Sequence, residues 1–345
     1  MTTKRKLTYA ALSVLGIAAV AAAITAWSWW RILYSTPFQL NSTTYIYIRP
    51  QDTEQDIVRQ LQDSAHMRST AGWDVARRFS EFTPHTGCYA IEPADRLIDV
   101  YRRLKSGQQQ AVKLVVPSVR TLDRMAATIS RYVMLDSATI ASALADTGFV
   151  MNMGYNMATL PALFIPNTYE VYWDISLNGL MRRLERENSA FWKRDRREQI
   201  ADSMDMSYNE IYTLASIIDE ETANNAEKPR IAGVYLNRLR MGIPLQADPT
   251  VKFAVGDFTM RRILNQHLQV RSPYNTYQRL GLPPGPIRVA SIAGIDAVLH
   301  AEKHDYLYFC AKEDFSGTHN FATTLAEHNQ NARRYQRALN QRGIR

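Results

Sequence analysis

The chain has 345 residues, and its 41 Lys and Arg against 33 Asp and Glu give a formal net charge of +8 at pH 7. Two cysteines, Cys88 and Cys310, are too few for a disulfide framework, so we expect two buried free thiols, with a bridge between them as the alternative. The sequence has neither the Cys/His spacing of structural zinc nor a Gly-rich phosphate-binding motif. We therefore expect no metal and no cofactor.

The first predicted element is a membrane-spanning helix over residues 7–30. This apolar run has no charged residue and exceeds the length of about 20 residues that crosses a bilayer. Three basic residues at positions 4–6 precede it, and Arg31 stands alone after it. The positive-inside rule then predicts a cytoplasmic N terminus, residues 1–6, with the rest of the chain on the outer side.

A cleaved signal peptide is the alternative to this anchor, because Ala21–Ala23 supply small residues of the kind found before cleavage sites. The apolar run is long for such a peptide, and Trp27, Trp29 and Trp30 at its end fit the aromatic belt of a membrane interface. No cysteine follows closely, which argues against a lipoprotein. The pattern therefore favours an uncleaved anchor and no nucleic-acid partner.

After a connector over residues 31–41, residues 42–112 are predicted to form a small α+β subdomain. Alternating apolar residues predict its strands, and Pro93 and Gly107 bracket its second helix. The predicted elements are a strand at Thr43–Arg49, a helix at Thr53–Gln62, a strand at Gly87–Ile91 and a helix at Asp95–Leu104.

Residues 113–345 are predicted to form a larger, mainly helical α+β domain, long enough to bury a substantial core. A strand at Val112–Val116 leads into it. Thr121 is predicted to cap a helix that runs to Val133, and Ser137 to cap the next. The later elements are a long, heavily charged and mainly helical stretch at Leu177–Met206, helices at Tyr208–Thr222, Lys228–Met241, Thr259–Leu268 and Ile292–Glu302, a strand at Tyr306–Ala311 and a final helix from Leu325.

Glu221 is the main candidate for a catalytic residue. At about 3.6 residues per turn, it lies roughly 20° from Leu214 on the apolar stripe of the helix at Tyr208–Thr222, whereas Asp219 and Glu220 lie at least about 100° away. An apolar setting and neighbouring carboxylates both raise a carboxyl pKa, which suits a general acid. The alternative is an acidic run that marks where the helix leaves the core.

Turn-prone loops that carry Tyr, Asn and Gln follow this helix. They lie at Ile243–Val251, Ser272–Tyr277 and Gly281–Ile287. Aromatic rings stack on sugars and amides bind hydroxyl groups, so these loops could line a carbohydrate groove, although ordinary surface loops have a similar composition.

Nine motifs, in this order and spacing, resemble the endolytic murein transglycosylases. They are Pro166–Tyr169, Leu214–Thr222, Asn237–Leu239, Pro244–Val251, Tyr274–Tyr277, Gly281–Ile287, Tyr306–Phe309, Gly317–Phe321 and Leu325–Asn329. The resemblance as a whole runs from the membrane segment to near the C terminus. The sequence departs from that family at three places. The family often has Glu at the position of Asp219, Asn-Pro-Gly at Arg288–Ala290 and Pro at Ala301. These differences affect how the substrate is expected to bind more than the chemistry of cleavage.

The resemblance implies a LysM-like fold for residues 42–112, with glycan contact or a spacer role, and a catalytic domain at 113–345. The family's catalytic glutamate immediately precedes the motif threonine, here Thr222, which selects Glu221. Further substrate-binding candidates follow from the matching motifs. They are Gln246, Tyr274, Asn275, Tyr277 and His319.

The implied reaction is cleavage of the MurNAc–GlcNAc bond within nascent peptidoglycan strands to give 1,6-anhydroMurNAc ends. Two alternatives remain. A glycan hydrolase would need a second carboxylate, for which Asp219, Glu220 and Asp248 are the candidates. The other alternative is a non-catalytic, membrane-tethered peptidoglycan-binding protein.

The resemblance also implies a single-pass protein of the bacterial inner membrane, with its catalytic domain in the periplasm. Its expected partners are peptidoglycan glycan strands, peptidoglycan synthases and, through the anchor, membrane lipid. Basic residues concentrate at Arg182–Arg197 and Arg333–Arg345. These segments are either solvated helix faces or contacts to an acidic partner such as anionic lipid or peptidoglycan.

Overall fold

A computed structural model describes residues 3–260 and 263–343 of the chain. It divides into two compact units. The first comprises Met1–Lys113 and Glu170–Asp174, and the second comprises Leu114–Tyr169 and Ile175–Arg345. Helices outnumber strands among the described residues, which confirms the predicted mixed α+β class.

The first unit follows the predicted strands closely and adds one helix that was not predicted. Strands β1 and β2 pair antiparallel, with Ile46 opposite Tyr89, and both residues are fully buried. The additional helix, α3, contains Gly72, where a Cβ atom would lie 2.1 Å from Leu97 Cδ2. The elements are α1 (Thr3–Leu33), β1 (Thr44–Ile48), α2 (Glu54–Asp63), α3 (Ala71–Phe79), β2 (Gly87–Ile91) and α4 (Leu97–Lys105).

The chain continues through β3 (Val112–Val116), which pairs with β4 (Asn167–Val171). Strands β5 and β6 form an antiparallel pair near the C-terminal helix. The remaining elements are α5 (Leu122–Ile129), α6 (Ser137–Ala145), α7 (Thr147–Asn152), α8 (Leu177–Lys193), α9 (Arg197–Ser203), α10 (Tyr208–Glu221), α11 (Lys228–Arg240), α12 (Asp248–Val255), α13 (Ile292–Leu299), β5 (Tyr308–Ala311), β6 (His319–Ala322) and α14 (Leu325–Gln341).

The mainly helical stretch predicted at 177–206 is confirmed, and it consists of two helices, α8 and α9, which are separated where Asp195 and Arg196 adopt positive φ angles of 55° and 60°. Two other predictions are wrong. The helix capped by Thr121 ends at Ile129, four residues earlier than predicted. The cap of α6 is Asp136, whose carboxylate accepts the Thr139 N–H at 2.7 Å, so Ser137 is the first helical residue.

Two further predictions fail in the loops after α11. The helix predicted at Thr259–Leu268 includes Arg261 and Arg262, which lie outside the described residues, and its described remainder holds only the start of a 3-10 turn at His267–Gln269. Conversely, α12 forms in a stretch that we predicted as a turn. Pro249 lies in the first turn of α12, where its missing N–H costs nothing.

Helix α10 is the centre of the second unit. Ile211 to Ile218 are buried along its length, and it packs against α11, α12 and α13. Its polar side chains hold neighbouring loops: the Tyr212 hydroxyl donates to Phe164 O at 2.6 Å, and the Ser216 hydroxyl accepts the Ile287 N–H at 3.0 Å. Glu221 is the last residue of this helix and directly follows its buried part.

Gly233 lets α11 approach the segment after α13. A Cβ atom there would lie 2.4 Å from Glu302 O and 2.6 Å from His304 Nε2. We expect Gly233→Ala to destabilise the protein by about 1–3 kcal/mol through overpacking. Gly148→Ala, also in a helix, meets only a carboxylate oxygen at 3.3 Å and is the matched control, expected to be near neutral. Urea unfolding measures the stability of both variants, and equal stability would contradict the expected overpacking at Gly233.

Candidate active site

Glu221 is the C-terminal residue of α10 and faces a pocket of about 380 Å³. The preceding turns of the same stripe, including Ile217 and Ile218, are fully buried, whereas Glu221 is half-buried where the stripe reaches the pocket. The other lining residues are Tyr235, Arg238, Leu245, Gln246, Asp248, Tyr277, Tyr308, Phe309, Cys310, Ala311, His319, Leu325 and His328.

The surroundings of Glu221 favour its protonated form. Burial raises the pKa of this carboxyl to about 7, and the nearby negative charge of Asp248 acts in the same direction. The Tyr235 hydroxyl donates a hydrogen bond to Glu221 Oε1 at 2.7 Å, which stabilises the carboxylate and limits the rise of the pKa. Near neutral pH the group can therefore both give and accept a proton.

The two neighbouring acids on α10 are held in ion pairs away from this pocket. Asp219 lies 2.7 Å from Lys228 Nζ, with both side chains almost fully buried, and it accepts the Ser291 N–H and hydroxyl. Glu220 is bound by two guanidinium groups, those of Arg120 and Arg288. Neither carboxylate lines the pocket of Glu221.

Asp248 is the one candidate second carboxylate that shares the described pocket with Glu221. It starts α12 and accepts a hydrogen bond from the Tyr277 hydroxyl at 2.6 Å. Burial and the charge of Asp248 raise the pKa of Tyr277, so this tyrosine remains a hydrogen-bond donor. The Asp248–Tyr277 pair thus forms one polar wall of the pocket.

Three of the five predicted substrate contacts line the pocket, namely Gln246, Tyr277 and His319. Gln246 has a φ of 52°, a conformation that costs energy for a residue other than glycine. Its side-chain oxygen accepts a hydrogen bond from Arg238 Nη2 at 2.6 Å, which fixes the amide beside Glu221. His319 is held through its Nδ1 atom, 3.2 Å from Glu227 Oε2.

Tyr274 and Asn275 lie behind the pocket and do not line it. Asn275 is fully buried, and its Nδ2 donates to the carbonyls of Leu268 and Val270 at 2.9 Å. The Tyr274 ring packs on Phe253, with centroids 4.6 Å apart. These side chains shape the loop that carries Tyr277.

Sequence patterns did not single out four pocket residues, Tyr235, Arg238, Tyr308 and His328. Tyr235 belongs to the apolar stripe of α11, so its hydroxyl bond to Glu221 is visible only in three dimensions. Arg238 is almost fully buried and donates to the carbonyls of Pro244 and Leu307 at 3.0 and 2.9 Å. Arg238, Tyr308 and His328 lie inside the motifs Asn237–Leu239, Tyr306–Phe309 and Leu325–Asn329, and this position was the available sequence signal.

The two cysteines do not form a disulfide bond with each other. Cys88 and Cys310 are both free, and Cys88 is buried as predicted. Cys310 is half-buried, which corrects the expectation of a buried thiol, because β5 is partly exposed along its length. Among residues 3–260 and 263–343, no group of three or more His, Cys, Asp or Glu could hold a metal ion.

A pocket with one carboxyl of pKa about 7, in a mainly helical α+β unit, has the arrangement of a general-acid catalyst. Comparison with known proteins identifies the family. The model of the YceG-like family matches residues 46–334, so the chain belongs to the YceG-like family. This confirms the family predicted from the nine motifs.

Relatives with curated names support the same assignment. An endolytic murein transglycosylase of Bacillus subtilis is 31% identical over 272 residues, which cover 74% of each protein. Endolytic murein transglycosylases of Streptococcus pneumoniae are 24% identical over 332 residues, covering 86% of this chain and 59% of theirs. A crystal structure of a YceG-like protein from Listeria monocytogenes, 29% identical, aligns with a TM-score of 0.56 over 84% of this chain and 99% of that one.

Proposed function

We propose that this chain is a lytic transglycosylase that cleaves the MurNAc–GlcNAc bond within peptidoglycan strands. The observation that carries the proposal is Glu221, whose pKa of about 7 suits a group that serves first as acid and then as base. Membership of the YceG-like family supplies the substrate class, since the curated relatives are named for murein.

The reaction needs one carboxyl group and consumes no water. Protonated Glu221 gives its proton to the glycosidic oxygen as the bond between that oxygen and muramic C1 breaks. The 6-hydroxyl of the same sugar then bonds to C1, and its proton passes to the Glu221 carboxylate. The product is a 1,6-anhydroMurNAc end, and the acid is regenerated. The hydrogen bond from Tyr235 stabilises the carboxylate between the two steps.

The remaining pocket residues are assigned by their positions. Gln246, Tyr277 and His319 line the pocket and are proposed to contact the sugars. Tyr274 and Asn275 are proposed to act indirectly, by holding the loop that presents Tyr277.

We further propose that the enzyme is a single-pass protein of the inner membrane. Helix α1 contains one candidate span, Thr8–Leu33, with a mean hydropathy of 2.0 and no buried residues in its apolar window. The basic residues at 4–6 favour a cytoplasmic N terminus and a periplasmic catalytic unit. Such an anchor would keep the pocket near nascent glycan strands and the synthases that make them. The LysM-like assignment of residues 42–112 remains part of this proposal, with a glycan-binding or spacer role.

A hydrolase is the second candidate function, because Asp248 shares the pocket with Glu221. A second carboxylate could activate a water molecule or form a covalent intermediate. The hydrogen bond from Tyr277 instead occupies one oxygen of Asp248, which favours the one-acid reaction.

The test of catalysis is incubation of the full-length protein, reconstituted in nanodiscs, with purified peptidoglycan. We expect soluble muropeptides and shorter glycan strands, measured by chromatography. If the folded protein binds the glycan and releases nothing, the non-catalytic binding protein is the correct function.

Tyr235→Phe is expected to change the pH dependence of this reaction. The hydroxyl lowers the Glu221 pKa, so its loss raises that pKa above about 7. Activity requires the protonated acid at the first step and should therefore persist to higher pH in the variant than in the wild type. A pH–rate profile of initial cleavage rates tests this. Tyr208→Phe, which loses a hydroxyl bond to Glu198 outside the pocket, is the control and should keep the wild-type profile.

A further inference from the structure

The segment after α1 is bound to the first unit and is not a free linker. The Leu97 N–H donates to Ser35 O at 3.0 Å, and the Arg68 N–H donates to Pro37 O at 3.2 Å. Phe38 is buried in the core of that unit and forms a β-bridge with Met67. The predicted connector therefore fixes the first unit against the end of α1.

Helix α3 also packs directly on α1. A Cβ atom at Gly72 would lie 3.2 Å from Ile32 O and Ile32 Cγ2, so the two backbones approach closely at this point. Two turns further along α3, the Phe79 ring meets Trp29 edge-on, with centroids 5.5 Å apart. Helix α3 thus lies beside the last two turns of α1.

The length of α1 places this contact at the membrane surface. A hydrocarbon core of about 30 Å is crossed by about 20 helical residues, each rising about 1.5 Å. A span that begins at Thr8 therefore leaves the hydrocarbon near Trp27. The last part of the span, up to Leu33, then crosses the headgroup layer, and α3 lies at the same depth.

The side chains at this depth are aromatic and basic. We call them the collar, defined as Trp27, Trp29, Arg31, Arg78, Phe79 and Arg96. The guanidinium of Arg31 lies 5.2 Å from the Trp27 ring, and that of Arg78 lies 5.9 Å from the Trp29 ring. The guanidinium of Arg96 lies 5.7 Å from the ring of Tyr34, which directly follows α1. Phe79 is 66% exposed, and Trp27 on α1 is also exposed, so the collar presents large apolar side chains beside its basic ones.

The three collar arginines form no ion pair within the part of the chain that the structure describes. None of Arg31, Arg78 and Arg96 forms a salt bridge with a carboxylate of residues 3–260 or 263–343. Beside them, a pocket of about 380 Å³ opens between α1 and α3. Arg31 is its one charged lining residue, and the hydroxyl-bearing Ser28, Ser35 and Ser69 also line it.

We propose that the collar binds anionic phospholipid headgroups and so holds the first unit flat on the membrane surface. The proposal goes beyond the catalytic reaction and rests on the proposed anchor. Lipid is the occupant because the collar continues the exposed apolar surface of α1, and because free guanidinium groups complement headgroup phosphates.

Hydrogen exchange of the full-length protein in nanodiscs tests this proposal. Nanodiscs contain either phosphatidylcholine alone or equal amounts of phosphatidylcholine and phosphatidylglycerol. We expect amides of α3 and the connector to exchange about fivefold more slowly in the anionic discs. The attraction of one basic residue to an anionic membrane surface is enough to slow exchange by this factor. Arg78→Glu with Arg96→Glu should abolish the difference.

Arg59→Glu is the charge-reversal control, because its 68% exposed side chain lies on α2 and is not part of the collar. It should retain the wild-type difference. The proposal would be overturned if the wild type exchanged equally in the two lipids, or if Arg59→Glu lost the difference as the double variant does. Protection that appears only with a second membrane protein would also overturn it. Flotation with the discs reports insertion of α1, and peptidoglycan cleavage reports the enzyme, so failure of either is distinguished from failure of the collar.

Discussion

Replacing Glu221 by glutamine is expected to lower the rate of glycan cleavage by about 10³-fold or more. A positioned general acid or base contributes about 10²–10⁴-fold, and in the proposed reaction one carboxyl performs both roles. The amide can neither give nor accept the proton, although it keeps the size of the side chain and can still accept the Tyr235 hydroxyl bond. Initial cleavage rates on purified peptidoglycan measure the loss.

Measuring the stability of the Glu221→Gln variant shows whether a loss of activity comes from the missing catalytic group or from unfolding. Burial raises the Glu221 pKa from 4.5 to about 7, so the folded state binds this proton more tightly than the unfolded state. In the wild type this contribution to stability is present below pH 4.5 and is lost as pH rises through about 7. The glutamine variant lacks that titration. We expect it to unfold at the same or higher temperature than the wild type at pH 8.

Glu220→Gln is the matched control for catalysis. It makes the same change at the adjacent position, where the carboxylate binds Arg120 and Arg288 and does not line the pocket. It should retain most of the cleavage activity. Full activity of a folded Glu221→Gln variant, or loss of activity in both variants, would contradict the assignment of Glu221.

Among the substitutions considered, breaking the buried ion pair between Asp219 and Lys228 is expected to lower the stability of the fold most. Its side chains are only 3% and 6% exposed, with 2.7 Å between Asp219 Oδ1 and Lys228 Nζ. Asp219→Asn leaves the lysine buried without a counter-charge, which typically costs about 3–5 kcal/mol. Because Asp219 also accepts the Ser291 N–H that precedes α13, its loss should loosen α10 from α13. Urea unfolding measures the change in the free energy of unfolding.

Two further variants make this second prediction specific. Glu302→Gln removes the partner of Arg230 in an exposed pair, with side chains 43% and 44% exposed, and should cost less than about 1 kcal/mol. Adding Lys228→Met to Asp219→Asn removes the unpaired charge and should restore part of the free energy of unfolding that Asp219→Asn loses. A destabilisation by Asp219→Asn as small as that of Glu302→Gln would show that the buried pair is unimportant for the fold.

The elements around the site follow closely from local sequence signals. The predicted helices at Tyr208–Thr222 and Lys228–Met241 each differ from α10 and α11 by one residue. Their apolar stripes are regular, Ser207 caps the first and Pro229 starts the second. The regular spacing of apolar residues in α10 also places Glu221 at the end of the buried stripe, as the helical repeat predicts.

Other features depend on contacts that local patterns do not contain. The different surroundings of the three adjacent acids depend on partners far away in sequence, such as Arg120 for Glu220 and Ser291 for Asp219. The break between α8 and α9 rests on two charged residues in left-handed conformations, for which the sequence has no glycine signal. Helix α3 contains Gly72, which lowers its helix propensity but is required by its close contact with Leu97.

In the proposed reaction one carboxyl group, Glu221, cleaves the glycan without water. Digestion of purified peptidoglycan in ¹⁸O-labelled water, followed by mass spectrometry of the new muramic ends, tests this. We expect anhydro ends that are lighter by one water than reducing ends and carry no ¹⁸O. Reducing ends labelled with ¹⁸O would contradict it and would make Asp248, the other carboxylate of the described pocket, the second catalytic group of a hydrolase.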